Sequence, residues 1–251
     1  MNFAALSFHI RGLTLLTLLA AGWADTTLAA AVFAVNRPAP IWISSRLAVA
    51  SVAEAKAALA AAFPDAFDAH VKRGDSHANI VIANCRDYVR LVDSIVGAAS
   101  DQEFRVLRAT GARCVALDAL QTARPAERSF VAGFGLDQSA LRFLPARLAL
   151  TVSPDDEARL IKAEARQTSL KDFQRDVRIR SSSRNAAVLT ANYWTADLTI
   201  DARGDFDGDG IEDLLITRRA SLNRGSLTTA DVFILTRTRL GVPLRVLRAL
   251  P

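Results

Sequence analysis

The spacing of apolar residues changes once along this chain, near Lys171, and that change restricts the possible folds more than any other feature. From about Ser51 to Arg166 the spacing is helical. In "SVAEAKAALAAAF" Ser51 and Glu54 form a capping box ahead of an alanine-rich helix. "NCRDYVRLVDSIVGAA" sets Cys85, Tyr88, Val92 and Ile95 on one helical face. "SDQEFRVLRATG" repeats the capping box with Ser100 and Glu103, and Gly111 reads as its stop. "ARCVALDALQTARP" then carries Cys114, Leu117 and Leu120 on one side, and Pro125 ends it. "FVAGFGLDQSALRFLPARLALTV" has no clean period, whereas "SPDDEARLIKAEARQ" is a helix capped by Ser153 with Pro154 in its first turn. Beyond Lys171 the period is two. "DVRIR", "AAVLTANYW", "ADLTIDA", "DLLITRRAS", "ADVFILTRTR" and "LRVLRA" are short strand-like runs separated by turn formers. The expected class is α+β, with a mostly helical region over 25–170 and an antiparallel sheet of five or six strands over 171–251.

Two cysteines, Cys85 and Cys114, fall on inward faces of the expected helices. In an oxidising compartment such a pair forms a disulfide stapling a helical hairpin, and in a reducing one it stays as two buried thiols. Without neighbouring histidines the pair does not complete a tetrahedral metal site. Arg218, Arg219, Arg237, Arg239, Arg245 and Arg248 alternate with apolar residues on the strand-like runs. That pattern fits a solvated outer sheet face more readily than a binding surface.

The opening segment points to export. Arg11 precedes the apolar run Leu13 to Ala21, and Gly22-Trp23-Ala24 is a small-x-small cleavage site before Asp25, with Ala29 and Ala30 as further cleavage points. This makes 1–24 a signal peptide and the compartment periplasmic or extracellular. As an uncleaved anchor the run is too short, because a membrane-spanning helix needs about 20 apolar residues. The net charge of +5 raises the question of nucleic acid. Arginine supplies nearly all of that charge, with lysine only at 56, 72, 162 and 171, and no basic tract is interleaved with aromatics. Composition therefore argues against a nucleic-acid partner.

One stretch runs against the basic background. "DARGDFDGDGIEDLLIT" places five carboxylates between Asp205 and Asp213. Like charges at that density repel, and a metal-free Asp/Gly-rich turn would leave only water and salt to relieve them. Calcium takes six to eight oxygen ligands from flexible carboxylates and backbone carbonyls, and alternate spacing lets one tight loop aim several at one centre. Asp205, Asp207, Asp209 and Asp213 are the candidate side-chain ligands and Ile211 the candidate carbonyl ligand. Position 12 of the loop is Ile216 rather than the bidentate glutamate of an EF-hand, and "EDLLIT" reads as strand rather than helix.

"DFDGDGIEDLLI" resembles the FG-GAP (VCBS-type) calcium loop, matching its D-x-D-x-D-G-x-x-D-L core over about 20 residues. The resemblance implies calcium held by those five residues. Proteins of this kind carry several copies built into propeller blades. A single copy implies instead one calcium-clipped hairpin in a small sheet. No catalytic set emerges: His70 and His77 lie in "DAHVKRGDSHANIV", which reads as a polar loop, and no nucleophile elbow is present. The expected function is an exported, non-catalytic calcium-binding module whose partner is a protein or another envelope component. The alternative is a secreted enzyme or enzyme inhibitor that uses the loop as a structural clip.

Overall fold

A computed structural model describes residues 38–250, so the expected signal peptide over 1–24 lies outside the described residues. Among the described residues β1 (Trp42–Ile43) comes first and leads to α1 (Val52–Ala60). Ser51 Oγ accepts the Glu54 N–H at 3.2 Å, while the Glu54 carboxylate accepts the Ala50 N–H at 2.8 Å. The capping box forms, with its return bond one residue earlier than usual.

The next stretch corrects the helical reading. Residues 62–84 form a hairpin of β2 (Ala62–Arg73) and β3 (Ser76–Asn84), closed by Gly74-Asp75 with Gly74 at φ 60°. His70 and His77 therefore stand on paired strands and not on a loop. The alanines suggest helix, but Ala69 and Val71 point inward while Asp68 and Lys72 point out, a period of two. Asn84 then caps α2 (Cys85–Leu91). The expected continuation of this helix to Ala99 is replaced by a 3-10 turn and β4 (Ile95–Ala98), which pairs with β2 to complete a three-stranded sheet.

A second correction concerns Gly111. The Ser100–Glu103 capping box starts α3 (Asp101–Leu120), which runs straight through Gly111 as one 20-residue helix. The Cys85–Cys114 disulfide thus joins two helices separated by a turn and a strand. Gly111 is there for contact: a Cβ at this position would lie 1.8 Å from Cζ of the buried Tyr88 on α2. Alanine is the better helix former by about 1 kcal/mol. Overpacking of this kind costs about 1–3 kcal/mol or more and should win. Gly111→Ala is expected to lower urea-measured stability by about 2 kcal/mol. A stabilised variant would contradict the packing argument.

Ser153 Oγ caps α4 (Pro154–Ala165) as expected, and the short α5 (Leu170–Phe173) follows. Where five or six strands are expected, six are present: β5 (Arg178–Ser182), β6 (Ala186–Thr190), β7 (Trp194–Gly204), β8 (Asp213–Leu222), β9 (Thr228–Thr236) and β10 (Arg245–Leu250). They form an antiparallel meander in sequence order, and β1 pairs with the far end of β7 through Ile43↔Ala202.

This sheet is covered on both faces. On one side Leu107, Cys114 and Leu117 pack with Ala202, Leu215 and Val232. On the other, Leu136, Leu144 and Leu148 pack with Ile200, Ile216 and Leu235. A strand buried on both faces reads as a continuous apolar run, which explains "DLLIT" at the start of β8.

The arginine reading is corrected in part. Arg219, Arg239, Arg245 and Arg248 are exposed, but Arg218 and Arg237 are buried, as is Arg203. All three reach the irregular stretch over 130–149. Arg203 donates to Val131 O and Phe134 O, Arg218 to Arg147 O and Ala149 O, and Arg237 to Phe130 O. Backbone without helix or sheet partners must find donors elsewhere when buried. The guanidiniums supply them, each over an aromatic ring: Trp42, Phe233 and Phe143 respectively.

Candidate metal centre

The acidic loop connects β7 to β8, between strands as expected and with no helix leaving it. It folds by wrapping its own N–H groups around its carboxylates. Asp205 Oδ1 accepts from Asp207 N at 3.2 Å and Gly208 N at 2.6 Å, and its Oδ2 accepts from Gly210 N at 3.0 Å. Asp207 and Asp209 each accept from the N–H two residues on, at 3.2 and 2.7 Å. The turns require left-handed backbone at Gly208 (φ 85°) and Gly210 (φ 78°), where a side chain would be strained.

Oxygens of Asp205, Asp207 and Asp209 converge to within 4.8 Å of one another. Asp213 does not belong to that trio. It lies beneath the loop at 0% exposure, its Oδ2 accepting the Phe206 N–H at 3.1 Å, while its Oδ1 and the neighbouring Thr236 hydroxyl both lack a hydrogen-bond partner within 3.5 Å. Ile211 buries its side chain and anchors the loop, and no hydrogen bond among the described residues reaches its carbonyl. Glu212, the fifth acid, turns inward, accepts from the Ser129 hydroxyl and faces the Arg203 guanidinium. Among the described residues no lysine or arginine forms an ion pair with Asp205, Asp207, Asp209 or Asp213.

The electrostatics follow from that arrangement. Burial pushes the Asp213 carboxyl up to about 7, opposed by the Thr236 hydroxyl and the Phe206 N–H and reinforced by Asp207 and Asp209. Partial desolvation also raises Asp207, and the charges of Asp209 and Asp205 add to it. An acid whose folded pKa is raised binds its proton more tightly folded than unfolded. Without a cation, Asp213 therefore removes stability as pH rises from its ordinary 3.8 toward about 7. A hard cation suits this donor set, because it is all oxygen, mostly anionic, and includes one buried oxygen with no partner.

Sequence reasoning missed the clasp around the loop. The stretch after α3 hydrogen-bonds along it: Arg124 and Asp205 exchange both backbone bonds, and the N–H groups of Glu127 and Arg128 both donate to Gly210 O. The Glu127 carboxylate thereby rests over Gly210, its Oε2 3.3 Å from where a Cβ would stand. No local signal in the sequence joins residues so far apart. No family model, curated protein or solved structure matches this chain.

Proposed function

We propose that this chain is an exported, non-catalytic calcium-binding protein. In this reading it is an envelope binding module in which calcium orders the β7–β8 hairpin through an FG-GAP-like loop. The observation that carries the reading is the convergence of Asp205, Asp207 and Asp209 above the buried, unpartnered Asp213 oxygen, with none of the four in an ion pair among the described residues. Asp205, Asp207, Asp209 and Asp213 would hold the ion together with the Ile211 carbonyl, and calcium would neutralise their repulsion. Two further findings are compatible with export. The disulfide is formed, and among the described residues no helix is long and apolar enough to cross a membrane.

Thermal melting with calcium and with chelator tests the reading. At one hundred times Kd calcium adds about 2.7 kcal/mol, a rise of about 5–10 °C for a domain of this size. The gain should shrink as pH falls below about 7, because a proton on Asp213 competes with the ion. Asp207→Ala should melt alike in both buffers. Equal melting of the unaltered chain would defeat the proposal.

One observation favours the second reading, a secreted enzyme or inhibitor. A cavity of about 480 Å³ gathers Asp93, Arg147, Glu157, Arg218 and Asp231. Its acids are largely engaged already, Glu157 with Arg147 at 2.7 Å and Asp231 with Arg218 at 2.8 Å. That pairing leaves the non-catalytic calcium-binding reading the better supported.

A further inference from the structure

We infer that Glu127, from outside the loop motif, is an additional ligand of the same cation, which would then latch the segment leaving α3 onto the sheet. This inference rests on the calcium reading above. Three observations carry it. The backbone of Glu127 is fixed to the loop by its own N–H and that of Arg128, both donating to Gly210 O at 2.9 and 3.0 Å. Its carboxylate lies against Gly210, its Oε2 3.3 Å from where a Cβ would stand, beside but outside the convergence of Asp205, Asp207 and Asp209. Its carboxylate is available, since no ion pair among the described residues includes Glu127. A carboxylate held over an acidic loop adds repulsion unless something positive sits between them. The independent observation is Asp213, fully buried beneath the loop with its Oδ1 making no hydrogen bond.

The attachment reaches beyond the loop. Ala126, next to Glu127, exchanges backbone hydrogen bonds with Ala39, so the latched segment also carries the first described residues of the chain. A cation bound by Glu127 and the loop aspartates would join three separate stretches: the segment at Ala39, the exit of α3 and the β7–β8 turn.

Calorimetric titration of the purified chain with calcium chloride tests this, using Glu127→Gln, which keeps the length but loses the charge, and Glu127→Asp, which keeps the charge but loses reach. A direct ligand predicts affinity about tenfold weaker in both variants. The loss should persist at about 0.5 M salt, where the screening length is about 4 Å. In chelator, Glu127→Gln should melt no lower than the unaltered chain, because Glu127 is exposed and its removal relieves repulsion. If Glu127→Gln binds calcium as tightly as the unaltered chain, the Glu127 assignment fails and the calcium reading stands. If Glu127→Asp binds normally, or the loss disappears in high salt, Glu127 is only a neighbouring charge and the assignment again fails. If the unaltered chain takes up no calcium, the inference and the reading beneath it both fall.

Discussion

Arg218→Ala is expected to destabilise the fold by about 3 kcal/mol, the low end of the loss when one partner of a buried ion pair is removed, because water reaches Asp231 in part. The side chain of Arg218 is 8% exposed and that of its partner Asp231 28%. Truncation strands the Asp231 carboxylate and also removes the donor to Arg147 O and Ala149 O. Arg219 supplies the control. It is the next residue on β8 and points to the other face, with one long contact to Ala109 O at 3.4 Å. Arg219→Ala should change stability by no more than about 0.5 kcal/mol. Urea unfolding of the two variants would measure the contrast. Equal effects would mean that the inward-facing arginines do not carry the irregular segment.

Removing the disulfide should lower stability by about 3.6 kcal/mol, from the entropy an unlinked loop regains in the unfolded chain. The closed loop spans 29 residues, and both sulfurs sit in the packed layer beside Tyr88 and Leu117. The Cys85→Ala/Cys114→Ala pair reports the same quantity without reductant. The two losses, at Arg218 and at the disulfide, should add, because they lie on opposite faces of the large sheet and share no partner. A double-cysteine variant as stable as the parent would show the crosslink to be incidental.

How far the molecule could be read from its residues depended on the range of the forces involved. Capping at Ser51, Ser100 and Ser153 is settled within four residues and was legible, as were the six C-terminal strands. The acidic turn was legible because its bonds run between residues two to five apart. Gly111 misled because its reason lies across the interface in the Tyr88 ring, not in its own helix. The β2–β3 hairpin is hidden because "DAHVKRGDSHANIV", polar and centred on a glycine turn, reads as a loop, whereas its pairing is set by residues on both sides of that turn. Arg218 and Arg237 read as surface residues because nothing local reveals that the stretch over 130–149 has carbonyls to satisfy. Glu127 was invisible for the same reason, its place set by pairing with Gly210 far along the chain.

Equilibrium dialysis of the purified chain against radioactive calcium tests the central claim most directly. One ion per chain, with Kd between about 10⁻⁴ and 10⁻⁶ M as for extracellular and sensor-range sites, is the expected result. Asp207→Ala should retain none at those concentrations. A chain that holds no calcium at millimolar free ion, while folded and disulfide-bonded, would contradict the account.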